Sequence, residues 1–159
     1  MNFKRLLLVS AVVASCGWLS AAAHSASLFS ALDGAWSGDG LVRLDEGKKE
    51  RIKCKGYYNA KQGGAELGIA IECANAAVRI NMRAALADAG GKVSGTWEER
   101  EFNQSGNVTG SASADKLVLV FAGGITGNMS IAANGSSQTV SITTSGPGFQ
   151  GVELTLLKG

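Results

Sequence analysis

Cys54 and Cys73, the acidic group Glu98, Glu99 and Glu101 beside Trp97, and the single histidine His24 are the side chains most able to do chemistry in this chain. An even cysteine pair in an oxidising compartment reads as one disulfide, which removes a thiolate nucleophile. His24 sits at the cleavage region of an N-terminal leader, so no imidazole is placed within the fold as a general base or metal ligand. Glu98 and Glu101 are the residue types of glycoside hydrolysis, but adjacent surface acids are common and nothing else in the chain supports that chemistry. The sequence shows no Cys/His cluster, phosphate-cradling glycine loop or nucleophile elbow. The expectation is a protein that is not an enzyme, with no catalytic residue, metal or cofactor.

The leader follows from Lys4-Arg5, the apolar run "LLLVSAVVA" and the small residues "SAAAHSAS". This is the plan of a secretory signal peptide over residues 1–25, too short to span a bilayer as a helix. Cleavage after Ala23 satisfies the small-residue rule. The alternative is "VASC", Val13 to Cys16, which is similar to the lipobox of bacterial lipoproteins and would make Cys16 a lipidated first residue. The expected address is periplasmic or secreted, with an outer-membrane lipoprotein as the alternative. Removing Lys4 and Arg5 from 15 basic residues leaves 13, against 13 acidic ones. That neutral balance gives nucleic-acid binding no electrostatic basis. Residues 26–159 have the length of one domain.

Apolar residues recur at every second position through this region, and almost nowhere at helical spacing, so the chain is all-β. The one helical candidate is "SLFSALDG", residues 27–34, with Ser25 or Ser27 as cap and Gly34 as stop. Strands are expected at about 35–44, 50–59, 66–74, 77–88, 92–102, 107–113, 116–122, 125–133, 138–145 and 151–158. Glycine turns fix their register. A Gly63-Gly64 turn sets Tyr58 opposite Ile69 and Cys54 opposite Cys73, within reach of a disulfide. Gly90-Gly91 sets Leu86 opposite Gly95 and Ala84 opposite Trp97, and Ala114-Asp115 sets Gly110 opposite Leu119 and Val108 opposite Phe121. Asn134-Gly135 pairs Met129 with Val140 and Gly127 with Ile142. Such a meander avoids two bare edges by closing its last strand on its first, an up-and-down barrel of about ten strands, with a β-sandwich as the alternative. Trp97 and Phe102 differ in parity, which places a β-bulge near Glu98 to Arg100.

The candidate ligand contacts are Trp97, Trp36, Tyr58, Met82 and Glu99. Trp36 either plugs the barrel floor or forms a stacking wall. Trp97 faces inward beside Ala84 and Gly95, where it either fills the space they leave or borders a pocket. Glu99 and Glu101 share its parity, so each either needs a partner such as Arg100, Arg83 or Arg79 or belongs to a solvated rim. Arg51, Lys53 and Lys55 alternate with Ile52 and Cys54 as a solvated outer face does.

In "LDGAWSGDGLVRLDEGKKERIKCKGYY", "IECANAAVRINMRA" and "GGKVSGTWEEREFNQSGNVTGSAS" the chain resembles short exported alphaproteobacterial proteins of uncharacterised function. That likeness implies export and a compact β-fold. The Gly34-x-Trp36 element is also similar to the strand entry of lipocalins, and "GTWEER" to a strand of avidin-type barrels, although no motif places the arginine that packs on the lipocalin tryptophan. The expected function is an exported binding module for an apolar or amphipathic small molecule. The alternative is a structural or interaction protein of the cell envelope, with a partner contact through residues 117–122, where Val118 and Val120 make the strand apolar on both faces. The Arg, Lys, Asn, Ser and Thr on the outer faces argue against a membrane-spanning barrel.

Overall fold

The computed structural model describes residues 27–159. The expected signal peptide, the alternative lipobox at Cys16 and His24 lie outside the described residues. The described part begins with one helical turn, α1 (Leu28–Leu32), and continues as ten strands: β1 (Gly34–Leu44), β2 (Lys49–Lys61), β3 (Glu66–Ala74), β4 (Arg79–Ala89), β5 (Lys92–Glu99), β6 (Gln104–Ala112), β7 (Lys116–Gly123), β8 (Thr126–Asn134), β9 (Ser137–Ser145) and β10 (Phe149–Lys158). Each strand pairs with the next, and β10 returns to β1 in a closed barrel. The alternation read from the sequence is the inside-outside alternation of that barrel: Ile52, Cys54 and Tyr58 are buried while Arg51, Lys53 and Lys55 are exposed. No described helix is long and apolar enough to cross a membrane.

Cys54 lies opposite Cys73, and Tyr58 opposite Ile69, as the glycine turn requires. The two sulfurs form a disulfide across β2 and β3, with Cα atoms 4.1 Å apart. The turn itself is longer than two residues, because Gln62 and Ala65 leave the ladder and Ala65 N donates to Gln62 O at 3.3 Å. Since it lengthens symmetrically, the register survives. Leu86 faces Gly95, Ala84 faces Trp97, and Val108 faces Phe121, again as the turns dictate.

Two expectations are corrected. Met129 pairs with Ile142 rather than Val140, and Gly127 with Thr144 rather than Ile142. The turn is Gly135-Ser136, not Asn134-Gly135: only Gly135 has a positive φ there, at 60°, so glycine takes the first central position and Asn134 stays in its strand. The shift is by two residues, so every side chain keeps its face. Secondly, β5 contains no bulge near Glu98 to Arg100. It ends at Glu99, residues 100–103 form a turn, and Phe102 therefore owes nothing to strand parity. The one register shift in the β1–β10 ladder lies between Arg43 and Leu44.

One end of the barrel is closed by α1. Ser27 caps it by accepting from Ser30 N at 3.2 Å, and Leu28, Phe29 and Leu32 are buried beneath it. The turn at Gly64 touches this plug so closely that a Cβ there would lie 1.8 Å from Ser27 Oγ, and its φ of +88° also favours glycine. Trp36 Nε1 donates to Leu32 O at 2.7 Å, its ring meets Tyr58 edge-on at 6.5 Å, and Lys158 Nζ stands 5.3 Å from its centroid. Lys158 also donates to Ala31 O at 3.3 Å, which joins the last strand to the helix. Burial pushes the Tyr58 phenol up, and the neighbouring Gln138 amide opposes the shift without forming a hydrogen bond of good geometry.

Two outcomes follow. Replacing Cys54 and Cys73 by alanine should lower stability by about 3 kcal/mol, measured by urea unfolding with and without reductant; an unchanged midpoint would contradict the bond's contribution. For Tyr58, a folded-state pKa above the unfolded one means the stabilisation is complete below about pH 10 and is lost as the pH rises past it. Melts of Tyr58→Phe should lack that alkaline loss and differ from wild type by less than about 1 kcal/mol at pH 7, because the hydroxyl has no hydrogen-bond partner.

Candidate functional site

Above the packed floor the barrel is hollow. A cavity of about 640 Å³ occupies its middle and reaches the loops at the end opposite α1. Its walls are aliphatic around most of the barrel, with Ile69, Ile71, Ile80 and Met82 on β3 and β4 and Met129 and Ile142 on β8 and β9, and aromatic at Trp97 on β5 and Phe121 on β7. Loop residues Val78, Phe102, Ile125 and Pro147, with Phe149 at the start of β10, surround the mouth. Asp45 braces that rim by accepting from Gly148 N at 2.7 Å and from Gln150 Nε2 at 2.8 Å.

Trp97 is 8% exposed. Its ring meets Phe121 edge-on at 5.3 Å and its Nε1 donates to Ala122 O at 3.3 Å. The indole therefore both packs against the wall and borders the void, since its cross-strand neighbours Ala84 and Gly106 are small. Met82 and Glu99 are paired directly across β4 and β5, one step toward the mouth from Ala84 and Trp97. Three of the five expected ligand contacts, Trp97, Met82 and Glu99, thus form one patch of the lining. Trp36 and Tyr58 are not among its lining residues. Both are committed to the floor beneath α1, where the indole N–H and its ring faces already have partners.

Glu99 is buried, and none of the arginines expected as partners meets it. Arg83 pairs with Glu72 and Arg100 with Glu98 on the outer surface. Glu99 is instead held by the backbone: Oε1 accepts from Asn81 N at 2.6 Å and Oε2 from Phe102 N at 2.7 Å. This ties the turn after β5 to the edge of β4, and it explains why the strand stops there. Glu101 is exposed in that turn, so it and the outward Glu98 form no cavity pair. No group of three or more metal-binding side chains occurs among the described residues.

Not every residue of the lining and floor carries a local signal in the sequence. Phe121 was legible, because its hairpin register puts it opposite inward Val108. Phe149 was not, because the register shift in the β1–β10 ladder places it opposite Leu44. Lys158, the cation over Trp36, comes from the far end of the chain with no local signal.

No protein-family model and no curated protein matches the chain. Solved structures do. Rv2717c from M. tuberculosis superposes with a TM-score of 0.63 at 15% identity, over 82% of this chain and 94% of that one. The S-type phycobiliprotein lyase CPES from Guillardia theta superposes with a TM-score of 0.55 at 12% identity, over 82% and 90%. Both are ten-strand barrels of the calycin-like kind, so the likeness is one of fold.

The lining makes a stability prediction. Trp97→Ala removes packing on Phe121 but opens into space that already exists. The loss in urea melts should sit at the lower end of the range for buried tryptophan, about 3 kcal/mol. A loss below about 1 kcal/mol would mean that the indole is not held by the wall.

Proposed function

We propose that the chain is a binding protein that holds an apolar or amphipathic small molecule in the barrel cavity. The observation that carries this reading is the cavity itself, of about 640 Å³. That volume is in the range of small-molecule sites, which are mostly apolar with a few polar groups that fix orientation. Here those groups are few and stand toward the mouth. A barrel of the same kind acts in a protein named as a phycobiliprotein lyase, which supports the scaffold's use around small molecules without carrying that activity over. The reading for this chain is non-catalytic: the lining cysteine, Cys73, is oxidised, and the lining carboxylate, Glu99, is bonded to backbone. Export to the periplasm is part of the proposal, with the buried disulfide and the leader as its support.

One observation favours a second reading, an envelope protein that works through its outer surface. Val118 and Val120 on β7 are 40% and 50% exposed. Their cross-strand neighbours Thr109, Ser111, Asn128 and Ser130 carry no charge.

A fluorescence titration with the apolar dye N-phenyl-1-naphthylamine tests the first reading. Wild type should bind it, and Ala84→Phe, which puts a ring into the lumen beside Trp97, should weaken binding by about tenfold or more, a difference of about 1.4 kcal/mol. Equal binding by the two proteins would place the dye outside the lumen, and no binding by wild type would remove the cavity reading. Under the second reading, Val118→Asn with Val120→Asn leaves dye binding intact and abolishes co-purification of an envelope partner. Unchanged co-purification would discard it.

A further inference from the structure

We propose that the cavity selects a ligand whose head group is a hydrogen-bond-donating cation, an amphipathic amine, seated against Glu99. This rests on the reading of the cavity as a ligand site and names the chemistry of its occupant.

Glu99 lacks a charged partner. It is 9% exposed and lines the cavity. Among the described residues the ion pairs are Arg43–Glu153, Lys48–Glu50, Arg83–Glu72 and Arg100–Glu98, so no side-chain cation pairs with it. A carboxylate has about four lone-pair sites. Asn81 N and Phe102 N occupy one on each oxygen. The remaining acceptor positions belong to a charge largely withdrawn from water, a situation that a hydrogen-bonded cation relieves.

The other polar side chains of the lining point the same way, because each has a donor engaged within the chain. Trp97 Nε1 donates to Ala122 O, Thr144 Oγ1 to Phe149 O, and Gln104 Nε2 to Phe102 O. The lining's one ammonium, Lys48, lies 2.6 Å from Glu50 and is mostly in solvent. At the rim, Asp45 adds a second carboxylate. The lumen is therefore rich in acceptors and poor in donors. A ligand ending in a carboxylate would meet Glu99 as a like charge with few N–H groups to receive it. A ligand ending in an ammonium would find its acceptor beside Met82 and Trp97, with its apolar body along the aliphatic and aromatic walls.

Displacement of N-phenyl-1-naphthylamine from the wild-type mature protein by dodecylamine, dodecanol and dodecanoate, three heads on one chain length, reads the preference directly. Dodecylamine should bind about tenfold or more tighter than dodecanoate, with dodecanol between them, consistent with charge-assisted hydrogen bonding. Ala84→Phe should abolish the dodecylamine displacement, which assigns it to the lumen rather than to the surface. Glu99→Gln should reduce the amine-over-carboxylate ratio to about threefold or less. If that variant does not fold, the wild-type series still decides. Dye binding with equal displacement by all three, or with dodecanoate the tightest, would overturn the head-group assignment while leaving the cavity reading intact. Failure of the dye itself to bind would overturn the cavity reading first.

Discussion

The ladder between β1 and β10 is the contact on which the rest of the molecule depends. It runs from Trp36 opposite Lys158 to Leu44 opposite Phe149, and it joins the first strand of a meander to its last. Without it both strands would present unpaired N–H and C=O groups to solvent, an edge that invites association. With it the strand count sets the circumference. Eight strands give an interior that side chains just fill, and ten give a wider one, so inward residues cannot meet across the middle everywhere. The two ends answer that geometry differently. At one, α1 is laid across the opening, and Trp36 and Lys158 fasten it by one hydrogen bond each to helix carbonyls. At the other, only loops intervene between lumen and solvent.

Glycines decide where the wide interior stays empty. Phe121 stands opposite Gly127, where a Cβ would come within 2.5 Å of its ring. Trp97 stands opposite Gly106. Each ring thus has a side-chain-free strand beside it, and the two rings pack on each other at 5.3 Å. Aromatic volume is held against β5 and β7 instead of being projected into the centre, which leaves a continuous void bounded by Ile69, Ile71 and Met82 on the adjoining strands and by Val152 and Leu154 on β10. Large side chains facing large ones at the same levels would have filled it.

Most of this architecture is legible in the order of residues because two-residue periodicity and turn position together specify which side chains share a face and which face each other. The Gly63-Gly64 turn was enough to bring Cys54 to Cys73, although the actual turn is longer, since a symmetric lengthening leaves the pairing unchanged. Asn134-Gly135 misled by two residues for the opposite reason: the turn moved along the chain as a whole, and composition alone does not say whether asparagine or glycine takes the first position. The site was legible in part. Trp97, Met82 and Glu99 fall together because their strands are neighbours. Trp36 and Tyr58 share inward parity with them but lie at the other end of the barrel, and parity reports the face of a strand without reporting the level occupied by a plug. The end of β5 was hidden because a side chain, not a glycine or proline, terminates it.

That side chain, Glu99, explains why a charge is tolerated in so apolar a lumen. The turn after β5 leaves two backbone donors, Asn81 N and Phe102 N, converging on one point, and both need an acceptor. A glutamine would offer one oxygen and would set its own N–H₂ against the second donor. A carboxylate is acceptor-only, so it satisfies both and still has lone pairs directed elsewhere. The residue type best suited to fastening the turn is thereby one that leaves acceptor capacity at the cavity wall, and a structural requirement of the backbone gives the lumen its chemical polarity.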